Sequence, residues 1–442
     1  MFLLGKFVIA LIVVKYVFAL QNISLNSPPP PPDFVGFVHI LKDISKTPIT
    51  GTRGSRRLLG NGLSSTQSIA TTVPTSVSAL KTEGGTHYTE LFVGSPPQRR
   101  GLIIDTGSHF MAFPCSGCSD CGLEHENDYF NVDYSASSNV LDCDQCEELK
   151  SFCGDNNMCY LKQSYVEGSS WTAIQVEDVV WLGASSEFSS FEIMENDFVN
   201  YVFGCQVAET GMFKKQAADG ILGLAMHENG FVQHLVNENV ISHKMFSLCL
   251  SKVGGQVAWG GMNGSGGVSG DETQTQFTHL LQGEHGHFAV TVERLRLNNI
   301  GVWTSEDADV EEAISGFNKG KGTIFDSGTT DTYFPVALSK NFRAVWRQQV
   351  GSEFDNKTRK FASKELARLP TITLVLRGGG EFKIEPAHYL ESDLYSDSRK
   401  TIRIYLDEPE GAVIGANALF GKNVLFDEEN RRIGWHQADC EF

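Results

Sequence analysis

Two short segments of the chain carry a carboxylate in matching settings. Asp105 follows the apolar run Leu102-Ile103-Ile104, and Asp326 follows Thr323-Ile324-Phe325 in the second half of the chain. Each run predicts a buried strand, and each Asp is followed by a hydroxyl residue, Gly and a second hydroxyl residue. A single copy is weak evidence, because a strand that runs into an Asx-type turn gives the same pattern. Two copies indicate carboxylates that act as a pair.

The chemistry open to such a pair is acid–base hydrolysis. Two carboxylates at hydrogen-bond distance cannot both ionise easily, so they share one proton and titrate in two separate steps. The pair can then activate a water as base while it protonates the attacked carbonyl oxygen as acid. Peptide hydrolysis by this route needs neither a metal nor a covalent intermediate, and we expect no cofactor and no metal. Glycines that admit close approach and hydroxyls that fix the carboxylates would support the pair; these are Thr106, Gly107, Ser108, Ser327, Gly328 and Thr329.

The elements that must position these residues read mainly as short strands. The alternating segment Thr86–Val93, a Gly/Pro turn and the run up to Asp105 predict a hairpin whose second strand ends at the carboxylate. A second hairpin is predicted around Gly168, between strands at 161–164 and 173–182, and its tip can be mobile. An apolar strand closed by Gly occurs at Ile221-Leu222-Gly223 and again at Val413-Ile414-Gly415. Both halves therefore run in the same order, and the clearest helix is expected at 333–350.

Composition limits the class of protein. The chain has 442 residues, of which 41% are hydrophobic, with 44 Gly and 29 Phe, which indicates a β-rich globular enzyme or binding protein. Its formal net charge of −17 disfavours nucleic acid as a partner and is compatible with a cationic substrate. We expect a monomer.

The N-terminus predicts a route through the secretory pathway. Residues 1–20 combine Lys6 with a short apolar run interrupted by Lys15, which indicates a signal peptide, with an uncleaved anchor as the alternative. No later stretch approaches 18 consecutive apolar residues, so we expect no other transmembrane helix. Residues 21–83 read as a leader, with a polyproline tract at 28–32 and a Ser/Thr-rich stretch at 64–78.

The cysteines and sequons fit the same route. Disulfides are the expected use of the cysteines in an oxidising compartment, their pairing is open, and zinc binding by the CxxC pairs is the alternative. The ten are Cys115, Cys118, Cys121, Cys143, Cys146, Cys153, Cys159, Cys205, Cys249 and Cys440. Sequons for N-glycosylation occur at Asn22, Asn263 and Asn356.

The two Asp turns, the hairpin around Gly168 and the two apolar-Gly strands together resemble the pepsin-type aspartic proteases over residues 84 to 442. Aspartic proteases are the standard example of two carboxylates that share one proton. The resemblance implies an all-β (mainly β), bilobal fold with two pseudo-twofold-related lobes and a few short helices. The lobes would be 84–245, with a cysteine-rich insertion at about 115–159, and 246–442. Asp105 and Asp326 would be the catalytic pair, and Tyr165 the tyrosine of a flap that closes over substrate.

A narrower resemblance is to the plasmepsin V-like proteases, which carry a nepenthesin-type cysteine-rich insertion. It is carried by Phe113 to Gly122 and by the flap Tyr165-Val166-Glu167-Gly168-Ser169. Proteases of that group work in the secretory pathway and cleave exported proteins after the Leu of an Arg-x-Leu motif. The resemblance implies that Glu167 pairs with the substrate Arg, with Glu209 as a weaker candidate; a carboxylate can make a bidentate contact with a guanidinium.

Three positions depart from these patterns. His109 stands where a small hydroxyl residue is usual and reads as a partly exposed turn residue. Ala112 stands where pepsin-like enzymes often place a Trp against the flap tyrosine, so Tyr165 is expected to be held differently. Val166 replaces a flap cysteine of the plasmepsin V-like group, which leaves the partner of Cys205 open. That group's C-terminal membrane anchor is also missing from the given sequence, so both retention in the endoplasmic reticulum and release stay open.

The sequence therefore predicts an aspartic endopeptidase of the secretory pathway, in the endoplasmic reticulum or Golgi lumen or secreted, that acts on protein or peptide substrates with an Arg-x-Leu type motif. One alternative is a broad-specificity acidic digestive or vacuolar protease, and another is a non-catalytic binding or inhibitor protein on the same fold. The leader contains Arg56-Arg57-Leu58, itself an Arg-x-Leu pattern, which suggests processing near Leu58.

Overall fold

The structure is a computed structural model that describes residues 76–146, 150–183, 198–263, 275–281, 286–303, 310–393 and 395–441. The predicted signal peptide, most of the leader, Asn22 and the Arg56-Arg57-Leu58 pattern lie outside these residues. Strands predominate and the helices are few and short, which confirms the mainly β fold class.

The described part of the first half of the chain is built almost entirely from strands. They are β1 (Ser76–Glu83), β2 (Thr86–Val93), β3 (Gln98–Asp105), β4 (Met111–Pro114), β5 (Asn139–Val140), β6 (Ser151–Cys153), β7 (Cys159–Ser164), β8 (Ser170–Leu182), β9 (Phe198–Thr210) and β10 (Gly220–Gly223). One α-helix follows them, α1 (Phe231–Asn237). Short 3-10 turns lie at Val132–Tyr134, Cys143–Gln145, Asp155–Asn157 and Gly211–Lys214.

The second half adds further strands and the remaining helices. The strands are β11 (Met245–Ser251), β12 (Gly254–Trp259), β13 (Gln276–His279), β14 (Ala289–Val290), β15 (Val292–Leu297), β16 (Ile300–Gly301), β17 (Thr323–Phe325), β18 (Thr332–Pro335), β19 (Arg359–Lys360), β20 (Ile372–Leu376), β21 (Glu381–Ile384), β22 (Leu390–Asp393), β23 (Ser396–Ile402), β24 (Ile404–Glu408), β25 (Ala412–Ile414), β26 (Lys422–Asp427) and β27 (Arg432–Gln437). The helices are α2 (Val310–Asn318), α3 (Ser339–Val350), α4 (Ser363–Leu366), α5 (Pro386–Tyr389) and α6 (Ala416–Leu419), with a 3-10 turn at Val336–Leu338.

One large sheet runs through both halves. Within the described residues its order is β13-β27-β26-β11-β12-β1-β2-β3-β10-β4-β9-β8-β7-β6, with β5 paired to β8. The halves meet where β1 pairs with β12, in the register Ser76↔Trp259 to Leu80↔Gly255. Residues 76–83, which the sequence assigned to the leader, are therefore a strand in the interior of this sheet, and the fold extends upstream of the predicted lobe boundary at 84.

The chain order repeats at the level of strand pairing. In the first half β3 pairs in parallel with β10, with Ile103 opposite Ile221, and β10 pairs antiparallel with β4. In the second half β17 pairs in parallel with β25, with Ile324 opposite Val413, and β25 pairs antiparallel with β18. The two Asp strands thus lie against the two apolar-Gly strands in equivalent registers.

The expected helix at 333–350 is shorter than predicted. Residues 332–335 form β18, which pairs with β24 and β25, and α3 begins only at Ser339. Pro335 disfavours a helical conformation for the residue before it, and the strand buries Phe334 in the core. Gly351 ends α3 in the left-handed conformation, at φ 86°.

Candidate active site

Each carboxylate lies where a buried strand ends in a turn. Asp105 is the last residue of β3 and Asp326 follows β17 directly, and their side chains are 4% and 9% exposed. The parallel neighbours hold both positions through the backbone: Leu224 N–H donates to Asp105 O at 2.7 Å, and Asp326 N–H donates to Ile414 O at 3.0 Å. Each turn is therefore held to a neighbouring parallel strand, through the carbonyl of Asp105 in the first and through the amide of Asp326 in the second.

Both carboxylates accept hydrogen bonds in the same pattern. Gly107 N–H donates to Asp105 Oδ1 at 2.8 Å, and Gly328 N–H donates to Asp326 Oδ1 at 3.0 Å. The outer hydroxyls bind the other oxygens: Ser108 Oγ donates to Asp105 Oδ2, and Thr329 Oγ1 donates to Asp326 Oδ2 at 2.7 Å. One oxygen of each carboxylate is thus held by backbone and the other by a hydroxyl, as the motifs predict.

The inner hydroxyl residues tie the two turns together. Thr106 Oγ1 donates to Phe325 O at 2.9 Å and accepts from Ser327 N–H at 2.9 Å. In return Ser327 Oγ donates to Ile104 O at 2.6 Å and accepts from Thr106 N–H at 3.2 Å. All four bonds are buried, so this reciprocal cross fixes the separation of the carboxylates.

The glycines of the motifs face the opposite carboxylate. A Cβ atom at Gly107 would overlap the carboxylate of Asp326, and a Cβ atom at Gly328 would overlap that of Asp105. Only a residue without a side chain leaves room for the carboxylates to approach each other. The glycine in each motif is therefore required by the close approach of the two carboxylates.

The environment makes full ionisation of the pair unfavourable. Burial raises the pKa of Asp105 well above its ordinary value, and the nearby Asp326 raises it further. The hydrogen bonds from Ser108 and Gly107 act in the opposite direction, because they stabilise the ionised form. Such a pair holds one proton in a pH range where an ordinary carboxyl group has lost it.

A hairpin of β7 and β8 closes over the first turn. Its tip is residues 165–169, in which Tyr165 N–H donates to Ser169 O at 2.8 Å and Gly168 adopts φ 96°. The ring of Tyr165 lies 5.3 Å from that of Phe213, and Ser108 is one of the groups that act on its hydroxyl. Burial and the charge of Asp105 raise the pKa of Tyr165. The predicted flap tyrosine therefore adjoins the first carboxylate.

The sequence reasoning missed Trp171. Its side chain is 1% exposed, and its indole N–H donates to the hydroxyl of Tyr165 at 3.2 Å. The departure at Ala112 had signalled that Tyr165 is held differently, and a tryptophan beside the flap turn was the available clue. Tyr165 is thus held by a tryptophan on β8 and not by residue 112.

The two glutamates predicted to meet a substrate Arg lie in different settings. Glu167 is exposed at the tip of the flap, next to the fully exposed Val166. Glu209 is 0% exposed; its Oε2 accepts from Gly122 N–H at 2.8 Å and lies 3.4 Å from His125 Nε2. Glu209 therefore holds the loop that contains Gly122, which does not fit a direct contact with substrate.

His109 is half-buried within a group of three histidines. Its ring stacks on His287 at 5.9 Å between centroids and lies 5.5 Å from His227. Burial lowers the pKa of His109 to about 4, and the two neighbouring histidines lower it in the same direction. His109 is thus a turn residue that is neutral at most working pH values. No group of His, Cys, Asp or Glu in the described ranges has an arrangement that would hold a metal ion.

All ten cysteines are paired. The disulfides are Cys115–Cys205, Cys118–Cys121, Cys143–Cys153, Cys146–Cys159 and Cys249–Cys440. Cys205, whose partner the sequence left open, joins β9 to the end of β4. Because every sulfur is in a disulfide, the CxxC pairs do not present thiolates to zinc.

The asparagines of the two sequons in the described residues are both partly buried, and both side chains donate hydrogen bonds. The amide of Asn356 donates to Ile402 O at 2.7 Å and to Ile404 O at 2.8 Å, so both of its hydrogens are used. Asn263 Nδ2 donates to Gln256 Oε1 at 2.8 Å. A glycan on Asn356 would require breaking its two bonds to backbone carbonyls, and a glycan on Asn263 would require breaking its bond to Gln256. Across the part of the chain that is described, no helix is long and apolar enough to cross a membrane.

Paired Asp turns, the reciprocal hydroxyl cross and a flap tyrosine are the features of a pepsin-like aspartic protease domain, and the chain is similar to proteins of that class. Residues 87–261 match the domain family described as "Xylanase inhibitor N-terminal".

Among known proteins, the chain is similar to "Aspartic protease 5" of Toxoplasma gondii, with 28% identity over 399 residues that cover 80% of this chain and 36% of that protein. It is 32% identical to "Plasmepsin V" of Plasmodium falciparum over 179 residues, 40% of this chain and 29% of that protein. "Aspartyl protease family protein 1" of Arabidopsis thaliana is 25% identical over 385 residues, 81% of this chain and 68% of that protein. The chain thus spans only about a third of the length of the first two relatives.

Proposed function

We propose that the protein is an aspartic endopeptidase in which Asp105 and Asp326 activate water. The observation that carries this proposal is the pair of buried carboxylates, each with the same two kinds of hydrogen bond and each facing the glycine of the other turn. The names of the similar proteins, which are aspartic proteases, support it.

In the proposed reaction the pair holds one proton. The ionised carboxylate takes a proton from water as the water oxygen attacks the peptide carbonyl carbon, and the protonated carboxyl gives its proton to the carbonyl oxygen. The tetrahedral intermediate then collapses: the carboxyl that took the water proton gives it to the amine nitrogen, the C–N bond breaks, and the other carboxylate takes a proton from a hydroxyl of the intermediate, so the pair again holds one proton. The flap with Tyr165 would close over the substrate and exclude bulk water.

The test is hydrolysis of a peptide library by the purified protein, compared with Asp105→Asn and Asp326→Asn. We expect defined cleavage by the natural sequence and none by either variant, with thermal unfolding as a check that all three fold. Cleavage that survives in either folded variant would contradict the proposed pair.

For specificity we propose cleavage after Leu of an Arg-x-Leu type motif, with Glu167 as the partner of the Arg. The exposed position of Glu167 on the flap supports this role, because flap closure would bring its carboxylate over a bound peptide. Paired Arg-x-Leu, Lys-x-Leu and Ala-x-Leu peptides test it. Glu167→Gln should remove most of the preference for Arg, whereas Glu238→Gln, an exposed glutamate at the end of α1, should not. Equal cleavage of all three peptides by the natural sequence would leave a broad-specificity acidic protease as the function.

A non-catalytic binding or inhibitor protein is the second candidate, favoured by the description of the matched domain family. The intact pair with all of its supporting hydroxyls favours catalysis instead. An inhibitor would cleave no peptide between pH 4 and 7 and would bind and slow a glycoside hydrolase such as a xylanase, so the two assays separate the candidates.

We also propose folding in the secretory pathway, in the endoplasmic reticulum or Golgi lumen or with release from the cell. Five disulfides support an oxidising compartment. Processing near Leu58 is tested by N-terminal sequencing of the mature protein, with Asp105→Asn as a control for self-cleavage. An intact leader in the active protein would exclude processing as a requirement.

A further inference from the structure

We propose that Trp171 is the positioning residue of the flap tyrosine, and that it replaces from β8 the tryptophan that position 112 does not supply. The proposal rests on the proposed protease activity. Its basis is the direct bond between the indole N–H and the hydroxyl of Tyr165, at 3.2 Å.

The groups around Tyr165 allow one direction of hydrogen bonding. An indole N–H can only donate, so the hydroxyl of Tyr165 accepts from Trp171. Ser108 Oγ donates its proton to Asp105 Oδ2, and Ser108 is one of the groups that act on the hydroxyl of Tyr165. The indole thus fixes the hydroxyl beside the serine that binds a carboxylate of the pair.

The space for the indole is made by small residues on three adjacent strands. Ala112 on β4, Gly204 on β9 and Ala173 on β8 lie together, because a Cβ atom at Gly204 would be 3.2 Å from the Cβ of Ala112 and 2.9 Å from that of Ala173. The same atom would lie 3.5 Å from Cζ3 of Trp171. The indole therefore covers this floor of small residues, and a large side chain at 112 would compete for the same volume.

The strand register explains why this tryptophan points inward. In β8, Trp171 pairs with Glu209 on one side and with Gln163 on the other, six residues after Tyr165 and beyond the flap turn. It belongs to one buried cluster with Ala112, Leu161 and Phe213, against which Tyr165 packs. Because the indole is buried on a floor that includes residues of β4 and β9, its bond to Tyr165 holds the flap to the body of the lobe.

A double-mutant cycle tests the proposal. Trp171→Phe keeps an aromatic ring and removes the N–H, and Tyr165→Phe removes the acceptor. We expect Trp171→Phe to lower kcat about 2- to 10-fold, the factor that one hydrogen bond supplies, with KM changed less than about 2-fold. In the Tyr165→Phe background the same substitution should have almost no effect, because the bond is already absent.

The control is Trp259→Phe, which removes another buried indole bond, Trp259 Nε1–H to Ser78 Oγ at 3.3 Å, away from the flap. It should lower thermal stability without changing kcat. Independent effects of Trp171→Phe and Tyr165→Phe would overturn the proposal, as would an unchanged kcat in folded Trp171→Phe.

A spectroscopic test of the proposal needs neither enzymatic activity nor a folded Trp171 variant. The indole N–H proton resonance of Trp171 should shift, and its exchange with solvent should quicken, in Tyr165→Phe, whereas that of Trp259 should stay in place. An unmoved Trp171 resonance would show that the bond does not form. If the natural sequence cleaves no peptide although the Trp171 resonance responds, the proposed function is wrong, but the hydrogen bond between Trp171 and Tyr165 is confirmed.

Discussion

The turn at Asp105 and the turn at Asp326 share their backbone support but differ in what surrounds them. The first lies under the flap, with Tyr165 at Ser108 and with His109 packed on two further histidines. Beyond the second turn, Asp331 binds Arg403 through both carboxylate oxygens, at 3.0 Å to Nε and 2.7 Å to Nη2.

This difference separates two requirements of the site. The shared features, strand end, glycine and hydroxyls, are those that bring two carboxylates together, and they occur in both halves. The unshared features are the flap and the histidines beside the first turn and the Asp331–Arg403 ion pair beyond the second. The repeat thus accounts for the pairing of the carboxylates, and the differences between its copies account for the unlike surroundings of the two turns.

The largest expected effect comes from breaking the pair. Asp105→Asn and Asp326→Asn should each lower kcat/KM by at least about 10³-fold, because either change removes the shared proton and its general acid–base action. Burial raises the pKa of Asp105, so Asp105→Asn should not lower stability at neutral pH. Peptide hydrolysis and thermal unfolding measure the two effects. A much smaller loss of kcat/KM in one variant would mean that the two turns share their geometry but not their role in catalysis.

The next effect concerns the hydroxyl cross that both turns share. Thr106→Val leaves Phe325 O and Ser327 N–H buried without their partner, and should lower the free energy of unfolding by about 2–4 kcal/mol. Ser327→Ala should cost about as much, since it also loses two bonds. Thr323→Val, which loses a single buried bond to Phe317 O, is the control and should cost less. Denaturant unfolding gives the comparison, and unequal costs for Thr106 and Ser327 would contradict the symmetry.

A third prediction uses pH to compare the outer hydroxyls. Activity should fall as pH rises through the raised pKa of the pair, well above the ordinary range of Asp, because the second carboxylate then ionises. The Asp105 carboxyl stabilises the fold below its ordinary pKa, and this contribution is lost as pH rises through the raised pKa.

Ser108→Ala removes a bond that lowers the pKa of Asp105 and should move the alkaline limb upward by about one pH unit. The pH dependence of kcat/KM measures this shift, and Thr329→Val serves as the equivalent change on the other turn. If the alkaline limb stays in place in Ser108→Ala, the bond from Ser108 does not control the pKa of the pair.

Much of this arrangement could be predicted from the sequence because local patterns encode it. The runs before Asp105 and Asp326 could only be buried strands, and the glycines after them were required by the close approach of the carboxylates. The hydrogen bond between Trp171 and Tyr165 could not be predicted in this way, because it depends on the register of β8 against β9 and on small residues from three strands. Cysteine pairing was likewise a matter of tertiary contact. The strand at residues 76–83 was not predicted, because its partner, β12, lies far along the chain.

The smallest expected effect concerns His109, which has no equivalent at Thr330 in the second turn. Its pKa is lowered to about 4, so the folded state resists a proton that the unfolded chain accepts near pH 6.5. Its contribution to stability is full above pH 6.5 and is lost as the pH falls toward 4, with a slope of at most about 1.4 kcal/mol per pH unit. His109→Gln should therefore lose less stability than the natural sequence between pH 7 and pH 5, in denaturant unfolding. His227, His287 and Lys150, which also act on this ring, remain in the variant. His243→Gln, at an exposed histidine 3.1 Å from Glu429, is the control, and an equal change in both variants would show that the acid sensitivity does not arise at the first turn.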